Sequence, residues 1–147
     1  MKRFDFLQPI HNAIRAALYT TGALLQRTDF DLPAEAETTI SNLKATIALL
    51  ESYQAFGEQH ILPAVVAYEP AIADSLVQDG AEGRKMREKL QVLVNAFDKT
   101  SLQPGQKPGA DTLVTCFENL ALFTIQQLRR EENLVSKLLW RYYSDPE

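Results

Sequence analysis

The stretch Gln127-Leu-Arg-Arg-Glu131 decides how this chain reads. It lies inside the series Leu113, Phe117, Leu120, Thr124, Gln127, Glu131, Leu134 and Leu138, whose intervals are 4, 3, 4, 3, 4, 3 and 4 residues. Those intervals describe the core-facing stripe of an amphipathic helix. Gln127 and Glu131 stand in the middle of that stripe, where an unpartnered buried polar group costs about 1–3 kcal/mol, and more if it stays charged. The interior must therefore supply them with partners.

Three more stripes precede this one. Leu7, His11, Ile14, Leu18, Thr21 and Leu25 predict a first helix over residues 6–27, with Pro9 acceptable because it falls in the first turn. A connection follows at Thr28–Pro33, with Asp31 the expected cap ahead of Pro33. Ile40, Leu43, Ile47, Leu50, Gln54, Glu58, Ile61, Val65 and Tyr68 predict a second helix over 34–68. Pro63 is expected to kink it, because Pro cannot donate to the carbonyl one turn earlier.

Ile72, Leu76, Asp79, Gly83, Met86, Leu90, Val94 and Phe97 predict a third helix over 70–98. Gly80 and Gly83 each weaken it by about 1 kcal/mol, which makes the neighbourhood of residue 80 a candidate break. Thr100–Gly109, with two Pro-Gly pairs, is the clearest loop. The fourth helix then runs from a cap at Asp111 to about Tyr143, followed by a solvated tail. No strand-like alternation occurs. The expected fold is all-α: one domain over residues 1–147, an up-down-up-down antiparallel four-helix bundle.

Composition narrows the function classes. A hydrophobic share of 46% with 23% charged residues is that of a globular chain. No apolar run approaches the ~18 residues of a membrane span, and Met1–Asp5 lacks the apolar core of a leader, so a cytoplasmic location is expected. Net charge of −4 gives no reason to expect nucleic acid. The single cysteine, Cys116, lies beside Phe117 and reads as a buried, inert thiol. There is no Gly-rich phosphate loop, no nucleophile elbow and no Ser/His/Asp arrangement, so no enzyme activity is expected.

Antiparallel packing brings His11, Glu58, Gly83 and Glu131 to a similar height, in one polar layer of an otherwise apolar interior. Helices 2 and 4 match each other there: Gln54-Ala-Phe-Gly-Glu58 and Gln127-Leu-Arg-Arg-Glu131 are both Gln-x-x-x-Glu. Residues four apart share a helix face, so each helix offers two polar tips to the same region. His60 is two residues from Glu58 and points away from it, which suits a boundary face.

These residues, with Ile10-His11-Asn-Ala-Ile-Arg15, Glu58-Gln-His-Ile-Leu-Pro63, Arg84–Leu90 and Leu139-Trp-Arg-Tyr-Tyr-Ser-Asp145, resemble the bacterial hemerythrin-like (HHE cation-binding) family over most of the chain. The resemblance implies a four-helix bundle around a non-haem di-iron centre, with one His from helix 1, His-x-x-x-Glu from helix 2, a His from helix 3 and His-x-x-x-Glu from helix 4. His11, Glu58 and Glu131 keep that pattern as candidate metal-ligand positions. Gln54, Gly83 and Gln127 stand where three histidines are expected. An amide is a poor replacement for imidazole at iron and Gly offers no side chain, so no di-iron cofactor is expected.

Three readings of the layer remain open. The first is a hydrogen-bonded polar cluster, with Gln54 and Gln127 donating to the carboxylates and Arg15 as a further counter-charge. The second is a single divalent Fe or Zn on His11, Glu58 and Glu131, serving metal, oxygen or redox sensing. The third is a small-molecule pocket. The leading expectation is a non-enzymatic interaction or sensory module. A homodimer through the aromatic-rich ends (Phe4, Phe6, Trp140, Tyr142, Tyr143) is a candidate assembly. A further protein partner is not specified.

Overall fold

The computed structural model describes residues 7–100 and 109–142, with the side chains of all but 98–100, 135–137, 139, 140 and 142. Among them every regular element is helical: α1 (Leu7–Arg27), α2 (Pro33–Phe56), a π-helical turn (Gly57–Ile61), α3 (Leu62–Tyr68), α4 (Pro70–Thr100) and α5 (Ala110–Tyr142). The loop expected at 101–108, the chain end beyond 142, and the aromatic side chains at residues 4, 6, 140, 142 and 143 lie outside the described set. No described helix is long and apolar enough to cross a membrane.

The α1 stripe is buried as its spacing predicts: Leu7, His11, Ile14, Leu18, Thr21 and Leu25 are all interior. Helix α1 packs on α2 and α5, and α4 packs on α2, α3 and α5. The interior holds two apolar clusters. The larger joins Ile14, Leu18, Leu43, Ile47, Leu90, Val94, Phe117 and Leu128. The smaller joins Leu7, Ile61, Val65, Ala73 and Leu138.

Three local expectations need correction. Asp31 does not cap α2; Leu32 holds the cap position without a side-chain bond, and Asp29 closes the turn by accepting from the Asp31 amide at 3.0 Å. Helix α4 runs unbroken through Gly80 and Gly83. The interruption of the second helix lies where it was expected, just before Pro63, where the Leu62 amide bonds back five residues to the Gly57 carbonyl. Widening one turn relieves the clash between the Pro63 ring and the preceding turn.

The third correction concerns α5, whose buried face departs from the 4-3 spacing. Leu128 is fully buried while Leu134 is 43% exposed, and Gln127 and Glu131 are half-buried. A straight helix turns every 3.6 residues, so a 3.5-residue stripe drifts by about 20° per heptad. After two heptads the interior face has moved from Gln127 toward Leu128.

A polar tie joins α1 to α2 inside the larger cluster. The Thr21 hydroxyl donates to Asn42 Oδ1 at 2.6 Å and lies 2.8 Å from the Thr46 hydroxyl. Thr21→Val alone strands the buried Thr46 hydroxyl and is expected to cost about 1–3 kcal/mol in urea denaturation. Adding Thr46→Val should recover most of that loss. A double variant no more stable than the single one would contradict this account of the tie.

Candidate functional site

The polar layer lies where the two apolar clusters meet, and it separates into two parts. On the α1–α5 side, His11 is fully buried. Its Nδ1 is 3.0 Å from Glu132 Oε1, and its Nε2 is 2.5 Å from the Tyr53 hydroxyl and 3.3 Å from Glu131 Oε2. The Tyr53 hydroxyl donates to Glu131 through a short bond. Gln127 Nε2 donates to the other Glu131 oxygen at 3.3 Å, and Arg15 pairs with Glu132 at 2.8 Å.

Tyr53 has one proton, and here it goes to Glu131. The phenol oxygen is then left as the acceptor toward Nε2 of His11, while Nδ1 faces Glu132 on the other side of the ring. Burial, followed by the charge of Glu131 and the bond to it, pushes the Tyr53 phenol far above its ordinary value. Burial would raise Glu132 as well. The hydrogen bonds and charges of His11 and Arg15 outweigh that and hold its carboxyl below the ordinary value.

On the α2–α4 side, Gln54 is the hinge of the arrangement. Its Nε2 donates to Glu58 Oε1 at 2.9 Å and to the Gly80 carbonyl at 3.2 Å. Its Oε1 accepts a short bond from Arg87 Nη2. A β-carbon at Gly80 would stand 3.3 Å from Gln54 Nε2, so glycine lets that amide reach the helix backbone. Glu58 is half exposed at 50% and pairs with Arg84 at 3.0 Å.

Position 83 explains the second glycine. A β-carbon there would lie 3.4 Å from Arg87 Nη1, 3.4 Å from Phe123 and 3.8 Å from Gln127 Oε1. Arg87 is one turn further along the same face. Its guanidinium therefore stands over Gly83, in the space that the resemblance reserves for the helix 3 histidine.

Between these two parts lies a cavity of about 400 Å³. Leu7, Leu50, Ile61, Leu62, Leu76 and Leu128 form its apolar lining, with Tyr53, Gln54, Arg87, Gln127 and Glu131 as polar groups. The π turn contributes Gly57 and Glu58 to the same wall. Widened helical turns recur at functional sites because they re-aim the backbone locally.

The three residues expected to keep metal-ligand positions are thus not gathered on one point. His11 meets Glu131, whereas Glu58 makes its bonds across the cavity with Gln54 and Arg84. Among the described residues no group of three or more His, Cys, Asp or Glu is placed to hold a metal ion. A di-iron centre does not fit this donor set: Gln54 is bound to a guanidinium, and a second cation would stand beside Arg87. Asp79, also on the α4 face, pairs with Arg130 at 3.1 Å. His60 is exposed against Phe56. Cys116 is partly buried, and that burial, opposed by Lys89, pushes its thiol up.

Tyr53, Arg87 and Glu132 were not singled out by sequence. Tyr53 lies one residue before Gln54 and so off the stripe of the second helix, and Glu132 follows Glu131 directly. A signal for Arg87 did exist, since a long cation one turn after a stripe glycine has room to fold over it. Searches against models of known families, curated proteins and solved structures found no match. The hemerythrin-like resemblance therefore rests on the residues quoted for it.

Because Glu132 is depressed in the folded state, its contribution is present above the ordinary glutamate value of about 4.3 and is lost as pH falls below it. Glu132→Gln should lower stability at neutral pH and flatten the acid limb of a denaturation series. An unchanged acid limb would remove Glu132 from this role. At position 83, Gly83→Ala is expected to stabilise by up to about 1 kcal/mol through helix propensity. Gly83→His should instead cost about 1–3 kcal/mol, because the imidazole displaces the guanidinium. Equal stability of the two variants would show that Arg87 does not need the space.

Proposed function

We propose that this protein is a non-enzymatic sensory module of hemerythrin-like, up-down-up-down organisation, which binds a small organic molecule in the layer where that family holds iron. The observation that carries the reading is the cavity of about 400 Å³ between the apolar clusters. Its volume lies within the ~300–1,000 Å³ of small-molecule sites, and its lining combines a mostly apolar wall with a few placed polar groups.

The helix order is supported by contact pairs that run in opposite directions. His11–Tyr53 and Thr21–Thr46 do so along α1 and α2, and His11–Glu132 and Gln26–Glu118 do so along α1 and α5. The non-enzymatic character is supported by the lining itself. The described lining holds no His, Cys or Ser, and the Thr124 hydroxyl is occupied with the Leu120 carbonyl at 2.8 Å. The one lining hydroxyl that meets a carboxylate is that of Tyr53 on Glu131, and burial together with that carboxylate pushes its phenol far above the ordinary value, which opposes its activation as a nucleophile.

Sensing needs a wall that responds to occupancy. The π turn is the candidate, because Gly57, Glu58 and Ile61 touch the cavity while belonging to the weakest-laddered segment of the α2–α3 rod. The uncharged amphiphile octanol, titrated by calorimetry and thermal shift, is expected to bind and to raise the melting temperature. Ala81→Phe, at an exposed position of the lining, should abolish that shift without unfolding the protein. Absence of any octanol response in the wild-type chain would overturn the ligand-binding reading.

A further inference from the structure

Arg87 is 9% exposed and lines the cavity. Among the described residues it forms no ion pair. Nη2 donates to the neutral Gln54 oxygen, Nη1 stands beside Gly83, and Nε has no partner. Holding a guanidinium in such surroundings is costly unless something compensates its charge.

The nearby carboxylates are already committed. Glu58 takes Arg84 and Gln54, and Glu131 takes Tyr53 and Gln127 beside His11. Glu51 and Glu88 are exposed on the far side of Arg87, in a cleft of about 290 Å³. They act on Arg87 through their charge, with Glu51 the stronger, while Arg84 opposes them. Burial pushes the guanidinium below its ordinary value, yet an arginine remains protonated at neutral pH.

We infer that Arg87 is the head-group site for a small amphipathic monocarboxylate, with the apolar body of the ligand lying along Leu50, Ile61, Leu76 and Leu128. This rests on the ligand-binding reading of the cavity and names the class of ligand. A guanidinium presents donors in a fork that matches a carboxylate. A neutral ligand would leave the guanidinium without a direct ionic partner, and a metal cation would be repelled by it. A doubly charged phosphate suits the site less, because the lining already carries two glutamates, Glu58 and Glu131, and its second arginine, Arg84, is committed to Glu58. A single negative charge on a largely apolar body matches what the walls offer.

The test compares octanoate with octanol, both below their aggregation range, by calorimetry on the full chain. Octanoate is expected to bind wild-type protein roughly tenfold more tightly than octanol at neutral pH. Arg87→Met keeps an unbranched apolar stem without the guanidinium and should erase or invert that preference while leaving octanol binding in place. Arg87→Lys should keep part of it. Equal binding of octanoate and octanol by the wild-type chain overturns the carboxylate site and leaves the cavity reading standing. Binding of neither probe overturns both. If Arg87→Met does not fold, the Arg87→Lys comparison and the wild-type preference still decide the matter.

Discussion

The guanidinium of Arg87 over Gly83 is the contact on which the rest of the polar layer depends. A buried cation constrains everything around it, because each neighbouring group must either donate elsewhere or turn an acceptor toward it. Gln54 does the latter with its oxygen, which leaves its nitrogen to hold Glu58 and the Gly80 carbonyl. One side chain thereby ties α2, the π turn and α4 together. Gly80 is the condition for that tie, since it admits the amide, whereas at Gly83 a β-carbon would stand at ordinary contact distance from the guanidinium.

The opposite side of the layer solves a different problem. There the charges are mutual: His11 and Arg15 face Glu131 and Glu132, and Tyr53 supplies a neutral donor between them. Such a cluster is stable only while every member is satisfied, because a half-satisfied buried network is costlier than an apolar one. The cavity lies where these two solutions stop short of each other. Neither Gln54 nor Gln127 spans it, and the π turn widens the rod at the same height.

This arrangement also accounts for the poor fit between the layer and a pair of metal ions. The layer carries its own positive charge, in a guanidinium that is covalently part of α4. Its two stripe glutamates are drawn apart, Glu131 to Tyr53 and Glu58 to Arg84. The Glu58–Arg84 pair is half exposed and contributes little to stability, so its main effect is to set where the Glu58 carboxylate sits.

Periodicity alone determined that this chain is helical, where its four rods run, and that His11 is interior, because a buried stripe must recur with the helical turn. It also marked the height at which polar residues interrupt the core. Which polar residues meet there was decided only in three dimensions. The drift between 3.5 and 3.6 residues moved the α5 interior face to Leu128. The π turn left Glu58 at the edge of the cavity, where it bonds with Arg84. Arg87 entered the layer through a rotamer that no spacing rule records. Sequence reports the face on which a side chain starts, and for a side chain as long as arginine only packing decides where its charge ends.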